Sequence, residues 1–292
     1  MPTTTSTTGY LTARVLEAAR LSPSFIRVVL ADTGDGRPAT SGVPDEIVHL
    51  YFPAAGESAP PPMTEVDGVL AHHDPDDARV ARNYTVRRWE QGRITINFVD
   101  HGTGTAVEWA RSARPGMQLG VWGTRAWYQP PADTRWMLLV ADLTGVPAML
   151  RILEQLPLGV EARAIAEVAH PADRLPTEGP HQVDWRIAGN GRAPSVLPTA
   201  AAEWDAPDGP GYVWFAGEAS AGRAIRKQVR GLIPSSRQAI VGYWRDDKEA
   251  WLDRYQLVSD DLIARYDELS GEGLSDAEAE LRWDEILEQA GL

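Results

Sequence analysis

Between Ala81 and Glu90 the chain reads ARNYTVRRWE. On a strand, alternate residues share a face. Arg82, Tyr84 and Val86 then point one way, and Asn83, Thr85 and Arg87 the other. This set suits an extended ligand with a flat ring and a phosphate tail. The aromatic covers the ring, a hydroxyl or backbone amide bonds a ring heteroatom, and an arginine pairs bidentately with phosphate. A strand carrying two solvated arginines is the competing reading. Composition alone favours the latter, because short motifs recur by chance.

Four more stretches have residue types that could serve the same ligand. Asp100-His101-Gly102-Thr103-Gly104-Thr105-Ala106 runs into an expected helix, where open backbone amides favour an anion such as a pyrophosphate. A common Gly-Thr turn is the alternative. Ala141-Asp142-Leu143-Thr144-Gly145-Val146-Pro147 lies where a buried strand ends and a helix begins, the usual ligand side of an open α/β sheet. It contains no GxGxxG, and a simple helix cap is the alternative. Gly217-Glu218-Ala219 and Tyr243-Trp244-Arg245 also end expected parallel strands. The second could stack on a flat ring and bind a phosphate or carboxylate, or merely cap the sheet.

The elements that must position these residues fall into two regimes. Up to about residue 130, short segments rich in Val, Ile, Thr and aromatics (TARVLEAARL, SFIRVVLAD, EIVHLYFP, RNYTVRRWE, RITINFVD) predict an antiparallel β-barrel, with a short helix in TAVEWARSA. ESAPPPMTEVDGVLAHHDPDDAR reads as a long surface loop. Beyond Pro130-Pro131, strands alternate with helices. WMLLVAD is a continuous apolar run expected of a strand buried on both faces. TGVPAMLRILEQL follows as a helix with Thr144 as its N-cap and Pro147 in its first turn. The fold class expected is therefore β + α/β: a barrel over 1–131, a parallel-sheet α/β domain over 132–245, and a helical extension over 246–292. In that extension Trp251, Tyr255, Val258, Leu262, Tyr266 and Leu269 recur at helical spacing. A capping box at Ser275 opens a second helix ending at Gly291.

Composition sets further bounds. The 292 residues contain no cysteine, which removes disulfides, thiolate metal sites and cysteine-ligated iron–sulfur clusters. Any redox chemistry must use an organic cofactor or a metal held by other ligands. The net charge of −13 argues against nucleic acid as a partner. Most of that charge lies beyond Arg245, where 15 acidic residues face 4 basic ones. The N-terminus lacks a secretory pattern and no apolar run spans a bilayer, so a cytoplasmic protein without a membrane partner is expected.

The order of these pieces resembles the ferredoxin reductase-like flavoproteins and, more narrowly, the siderophore-interacting proteins, flavin-dependent ferric-siderophore reductases. The matching stretches are ARNYTVRRW, FVDHGTGTAVEWA, ARPGMQLGVWG, LLVADLTGVPAMLRILEQLP, WFAGEA and IVGYWR, across most of residues 10–245. The resemblance implies FAD in the barrel and NADPH or NADH as electron donor in the second domain. Arg82, Tyr84 and Thr85 match the flavin-binding motif, with Arg87 completing it. Asp100 and His101 fall in the ribityl and phosphate region, and Gly104, Thr105 and Ala106 in the pyrophosphate loop. Thr144, Gly145 and Pro147 fall where nicotinamide approaches the flavin. Gly217, Glu218, Ala219, Tyr243, Trp244 and Arg245 match the C-terminal cofactor-site signatures. Two departures stand out: Val107 replaces a hydroxyl residue in the pyrophosphate loop, and Leu143 replaces an acidic one.

The implied activity is electron transfer from NAD(P)H through FAD to a ferric siderophore. It requires neither an acid–base pair nor a resident metal, and it suits a monomer or weak dimer. An anionic siderophore would want a basic patch, for which Arg87, Arg88, Arg125 and Arg245 are candidates. His170 and Arg174, after the second strand of the α/β domain, would favour NADPH. A flavin reductase or diaphorase with another acceptor, and a non-catalytic flavin- or siderophore-binding protein, are the alternatives.

Overall fold

A computed structural model describes residues 9–32, 40–66, 69–74, 76–77, 79, 81–189, 194–246, 248–271, 273–274 and 276–290. The first region contains β1 (Leu11–Ser22), β2 (Phe25–Asp32), β3 (Ile47–Tyr51), β4 (Met63–Val66), β5 (Val69–His72), β6 (Arg82–Thr85), β7 (Arg88–Glu90), β8 (Arg93–Val99), helix α1 (Thr105–Ser112) and β9 (Gln118–Arg125). Seven strands form one antiparallel sheet in the order β6-β3-β9-β1-β2-β8-β7. Its edges, β6 and β7, are consecutive pieces of one segment, so the sheet curls round on itself. The chain changes partner between them: the Val86 amide bonds Glu46 O at 3.0 Å and the Arg87 amide bonds Thr95 O at 2.9 Å. Inside the curl Val28, Leu30, Val48, Leu50, Ile94, Ile96 and Leu119 are fully buried. Helix α1 closes one end, with Trp109 5.4 Å from Phe52 and 5.9 Å from Phe98 between ring centroids.

Two expectations are corrected here. The Pro- and Asp-rich stretch is not all loop, since β4 and β5 pair as a hairpin. Its sequence has Asp67-Gly68 between apolar residues, a hairpin signal that the flanking prolines obscured. ARNYTVRRWE is not one strand, so its faces do not alternate throughout: Thr85, Val86 and Arg87 are all buried in succession.

The second region contains β10 (Trp136–Ala141), α2 (Val146–Glu154), β11 (Glu161–Val168), β12 (Val183–Ile187), α3 (Leu197–Ala202), β13 (Gly211–Glu218), α4 (Ala219–Val229) and β14 (Gln238–Trp244). The strands form a parallel sheet in the order β12-β11-β10-β13-β14. Every residue of β10 is buried, as its unbroken apolar run requires. Met137, Leu139 and Ala141 face α2, while Leu138 and Val140 face α3 and α4. Beyond β14, α5 (Lys248–Gly271) and α6 (Asp276–Gln289) pack on each other around Leu262 and Leu287. Glu285 of α6 meets Arg230 at 2.7 Å. Ser275, Gly291 and the side chain of Leu269 lie outside the described residues. Among the described residues, no helix is long and apolar enough to cross a membrane.

The two sheets meet through buried polar groups. Arg151 of α2 donates to Glu46 Oε1 at 3.0 Å and to Val86 O at 2.8 Å. Arg87 donates to Glu154 of α2 at 2.7 Å. Asp173 accepts from the Ser22 hydroxyl at 2.6 Å and the Ser24 hydroxyl at 2.8 Å. Asp45 accepts from Trp214 Nε1 at 3.1 Å. Phe25 and Val99 of the barrel also join the apolar cluster around Met149.

Removing one partner of a buried ion pair leaves an uncompensated charge. Arg151→Met should therefore lower the urea unfolding free energy by about 3 kcal/mol. The double variant with Glu46→Gln should recover part of that loss. An unchanged unfolding midpoint in Arg151→Met would contradict the clamp.

Candidate cofactor site

A cavity of about 580 Å³ opens between the domains. The barrel contributes Arg82, Asn83, Tyr84 and Thr85 from β6, His49 from β3 and Asn97 from β8, with His101, Arg125 and Trp127 around them. The α/β domain contributes Thr144 and Pro147 at the start of α2, and Val241, Gly242, Tyr243 and Trp244 at the end of β14. A second cavity of about 780 Å³ lies on the barrel alone, lined by Thr105, Trp109, Arg79 and the loop from Phe52 to Ser58. Arg82 lines both.

The first cavity holds polar atoms that the protein leaves without partners. Asn97 is 4% exposed; its Oδ1 accepts from Arg27 at 3.1 Å, but its Nδ2 has no partner. The Tyr243 hydroxyl is buried beside Thr85 without a hydrogen bond of ordinary geometry. Buried groups of this kind are rare unless a ligand or water completes them. Tyr84 leans on Phe98 with centroids 4.4 Å apart, and burial pushes its hydroxyl up to about 12. Burial likewise holds His49 below the usual imidazole range, against the opposing bond to Asn83. Neutral His49 therefore adds no charge to the cavity near pH 7. These features fit a flat heteroaromatic group: an aromatic wall, hydroxyls and the unpaired amide donor of Asn97.

The start of α1 has its own chemistry. Gly104 precedes the helix with φ 142°, a conformation that strains any side-chain-bearing residue. No side chain caps this end, so the first amides remain open toward an anion. Thr105 lines the second cavity, while Ala106 and Val107 are buried beneath it.

Several expected site residues stand elsewhere. Arg87 lines neither cavity, because the partner change at Val86 turns it into the interface with Glu154. Asp100 lines neither cavity either. Burial would raise its pKa, but bonds from Arg111 and Arg20 outweigh that and hold it below the usual carboxylate range. Arg245 lies over the Trp251 ring, 4.4 Å from its centroid. Gly217, Glu218 and Ala219 support the wall from behind. Glu218 caps α4 by accepting from the Ser220 amide at 2.6 Å. Gly145 allows a close approach, since a Cβ there would lie 2.1 Å from Ala216 O. Leu143 is core, 2% exposed, where an acidic residue could not be accommodated without a partner. Thr144 is not the N-cap of α2; Gly145 is. Sequence reasoning missed His49, Asn97 and Trp127, and gave Asn83 a place on the strand but no role. The available signals were a lone His in IVHLY and a lone Asn in RITINFV.

A barrel followed by a parallel sheet is a fold shared with the ferredoxin reductase in carbazole 1,9a-dioxygenase, which superposes with a TM-score of 0.60 at 13% identity, covering 81% of this chain and 70% of that one. Residues 14–127 match the family model for the siderophore-interacting FAD-binding domain, and residues 134–247 that for the siderophore-interacting protein. The chain belongs to the siderophore-interacting protein family. It is 30% identical over 270 residues to the ferric vibriobactin reductase of Vibrio cholerae, covering 85% of this chain and 96% of that one. It is 27% identical over 234 residues to the NADPH-dependent ferric-chelate reductase of Escherichia coli, covering 79% and 91%. A siderophore utilization protein from T. fusca superposes with a TM-score of 0.71 at 32% identity, covering 82% and 94%.

Burial raises the Asp142 carboxyl to about 6, against bonds from Thr144 and Trp244 that favour its ionised form. A group with a raised folded-state pKa contributes stability that is present below its unfolded value and lost as pH rises through the folded one. Between pH 4.5 and 7.5, Asp142 should cost about 2 kcal/mol of unfolding free energy. Asp142→Asn should flatten the urea-measured pH dependence by that amount. Identical slopes in the two proteins would contradict it.

Proposed function

We propose that the chain is an FAD-dependent NADPH:ferric-siderophore reductase. The observation that carries this reading is the single cavity walled by Tyr84 and Thr85 from the barrel and by Thr144 and Trp244 from the α/β domain. Arg82, Tyr84 and Thr85 would hold FAD there, which would supply the exchange between a two-electron donor, NADPH, and a one-electron acceptor, ferric iron.

The residues divide the work of holding it. Tyr84 covers the ring system, and Thr85, Asn97 Nδ2 and the Tyr243 hydroxyl supply the polar contacts around it. Arg82, which lines both cavities, meets phosphate between them. Gly104, Thr105 and Ala106 offer backbone amides to the same anion. Thr144, Pro147 and Trp244 receive the nicotinamide. His170 and Arg174 follow β11, where a cation suits the 2′-phosphate of NADPH, in line with the name of the Escherichia coli relative. NADPH is a cytoplasmic reductant, which suits a cytoplasmic role.

The iron is substrate. Hard oxygen ligands hold Fe(III) better than Fe(II), so reduction loosens the chelate. Of the four candidate arginines for an anionic chelate, Arg125 alone lines the cavity, with its guanidinium 4.8 Å from the Trp127 centroid. Arg88 pairs instead with Glu178.

With FAD, NADPH, a ferric siderophore and a ferrous-specific chromogenic chelator, the protein should develop the ferrous colour well above the protein-free rate. Reduction of quinone or free flavin without that colour would contradict the assignment of the acceptor. Arg82→Ala should weaken FAD binding about tenfold or more in a flavin-fluorescence titration, as loss of a charge-assisted phosphate contact would. Unchanged affinity would remove Arg82 from the phosphate site.

A further inference from the structure

Asp142 sits behind the cavity wall, not in it. It is 1% exposed, at the carboxyl end of β10. Its Oδ1 accepts from the Thr144 hydroxyl at 2.6 Å and the Thr144 amide at 2.8 Å. Its Oδ2 accepts from the Glu218 amide at 2.8 Å and Trp244 Nε1 at 2.7 Å. The start of α2 and the ends of β13 and β14 therefore converge on one carboxylate, and these donors are all neutral. It has little room to move: a Cβ on Gly217 would lie 2.8 Å from its Cγ and Oδ2.

Burying a carboxylate without a counter-ion is unfavourable, and a well-packed apolar residue would stabilise the core more. What the carboxylate does impose is polarity. A threonine hydroxyl has one proton and two lone pairs. At Thr144 that proton goes to Asp142, so the hydroxyl can only accept from a group in the cavity. The Trp244 N–H is likewise committed to Asp142, which fixes the indole and leaves it no donor to offer. A ligand group meeting the Thr144 oxygen must therefore bring a hydrogen-bond donor, such as an amide N–H.

We propose that Asp142 is a positioning residue that makes Thr144 an obligate acceptor, so that this wall selects nicotinamide nucleotides by the N–H of their carboxamide. This rests on the nucleotide subsite assigned above. The carboxamide carries two such donors; a 3-acetyl group in its place has the carbonyl and no N–H.

The test compares NADP⁺ with its 3-acetylpyridine analogue by calorimetric titration of the full-length, flavin-loaded protein at pH 8. Binding is measured without turnover. The wild type should bind NADP⁺ about tenfold more tightly than the analogue, the scale of one hydrogen bond to an otherwise unpaired group. Asp142→Asn, Thr144→Val and Trp244→Phe separate the contributions. Asp142→Asn should abolish the preference, because its amide can donate to Thr144 and free the hydroxyl proton. Thr144→Val should abolish it too and Thr144→Ser should keep it. Trp244→Phe should weaken both ligands alike. If Asp142→Asn does not fold, Thr144→Val against Thr144→Ser still decides the matter. Equal affinities in the wild type, or a preference that survives Thr144→Val or Asp142→Asn, would overturn the proposal. Bleaching of the wild-type flavin by NADPH is read in parallel. Bleaching without a carboxamide preference sinks this inference alone, whereas no bleaching together with no nucleotide binding sinks the functional reading and this inference with it.

Discussion

The ion pair between Glu46 and Arg151, with its bond from Arg151 to the Val86 carbonyl, fixes everything else in the site. Val86 is where one segment leaves β3 and joins β8, the point that closes the barrel. Arg151 belongs to α2, which follows Thr144 and carries Pro147 in its first turn. One guanidinium thus ties the strand bearing Tyr84 and Thr85 to the helix that forms the opposite wall. Arg87 and Glu154 repeat the tie one helical turn further along. Buried ion pairs are weak stabilisers compared with apolar packing, but they are demanding about geometry. Here geometry is what a cavity shared by two domains requires.

The wall itself is built on a second buried carboxylate. Asp142 gathers the ends of β10, β13 and β14 and the start of α2, so the residues that line the cavity are held by one that does not. Glycines at 145 and 217 permit that closeness. Both carboxylates lie deep in the protein, and neither lines the cavity. Their effect on chemistry passes through the side chains they hold, as expected when the cofactor supplies the reaction and the protein supplies orientation.

Much of this was legible in the sequence, and the failures have physical causes. The unbroken apolar run of β10 could only be a strand covered on both faces. Arg82, Tyr84, Thr85, His101, Thr144, Pro147, Tyr243 and Trp244, far apart in the chain and pointed to by the family resemblance, line one cavity. Arg87 could not be placed, because alternation assumes a strand that keeps its partner and this one does not. Asp100 looked open to a ligand because Arg20, eighty residues earlier, is invisible to local reading. Gly217, Glu218 and Ala219 sit at a strand end, as expected, but packing turns them toward the sheet. Asn97 and His49 were hidden among apolar neighbours, where a single polar residue reads as noise until the barrel is closed around it.

The proposed function requires one cavity to bring FAD from the barrel side together with a reduced pyridine nucleotide from the α/β side. Its most direct test is an anaerobic visible-absorbance titration of the flavin-loaded protein, first with NADPH and then, on a fresh sample, with NADH. The oxidised flavin band should bleach at stoichiometric reductant, with NADPH acting at lower concentration. A flavin that binds and stays oxidised with both nucleotides would contradict it.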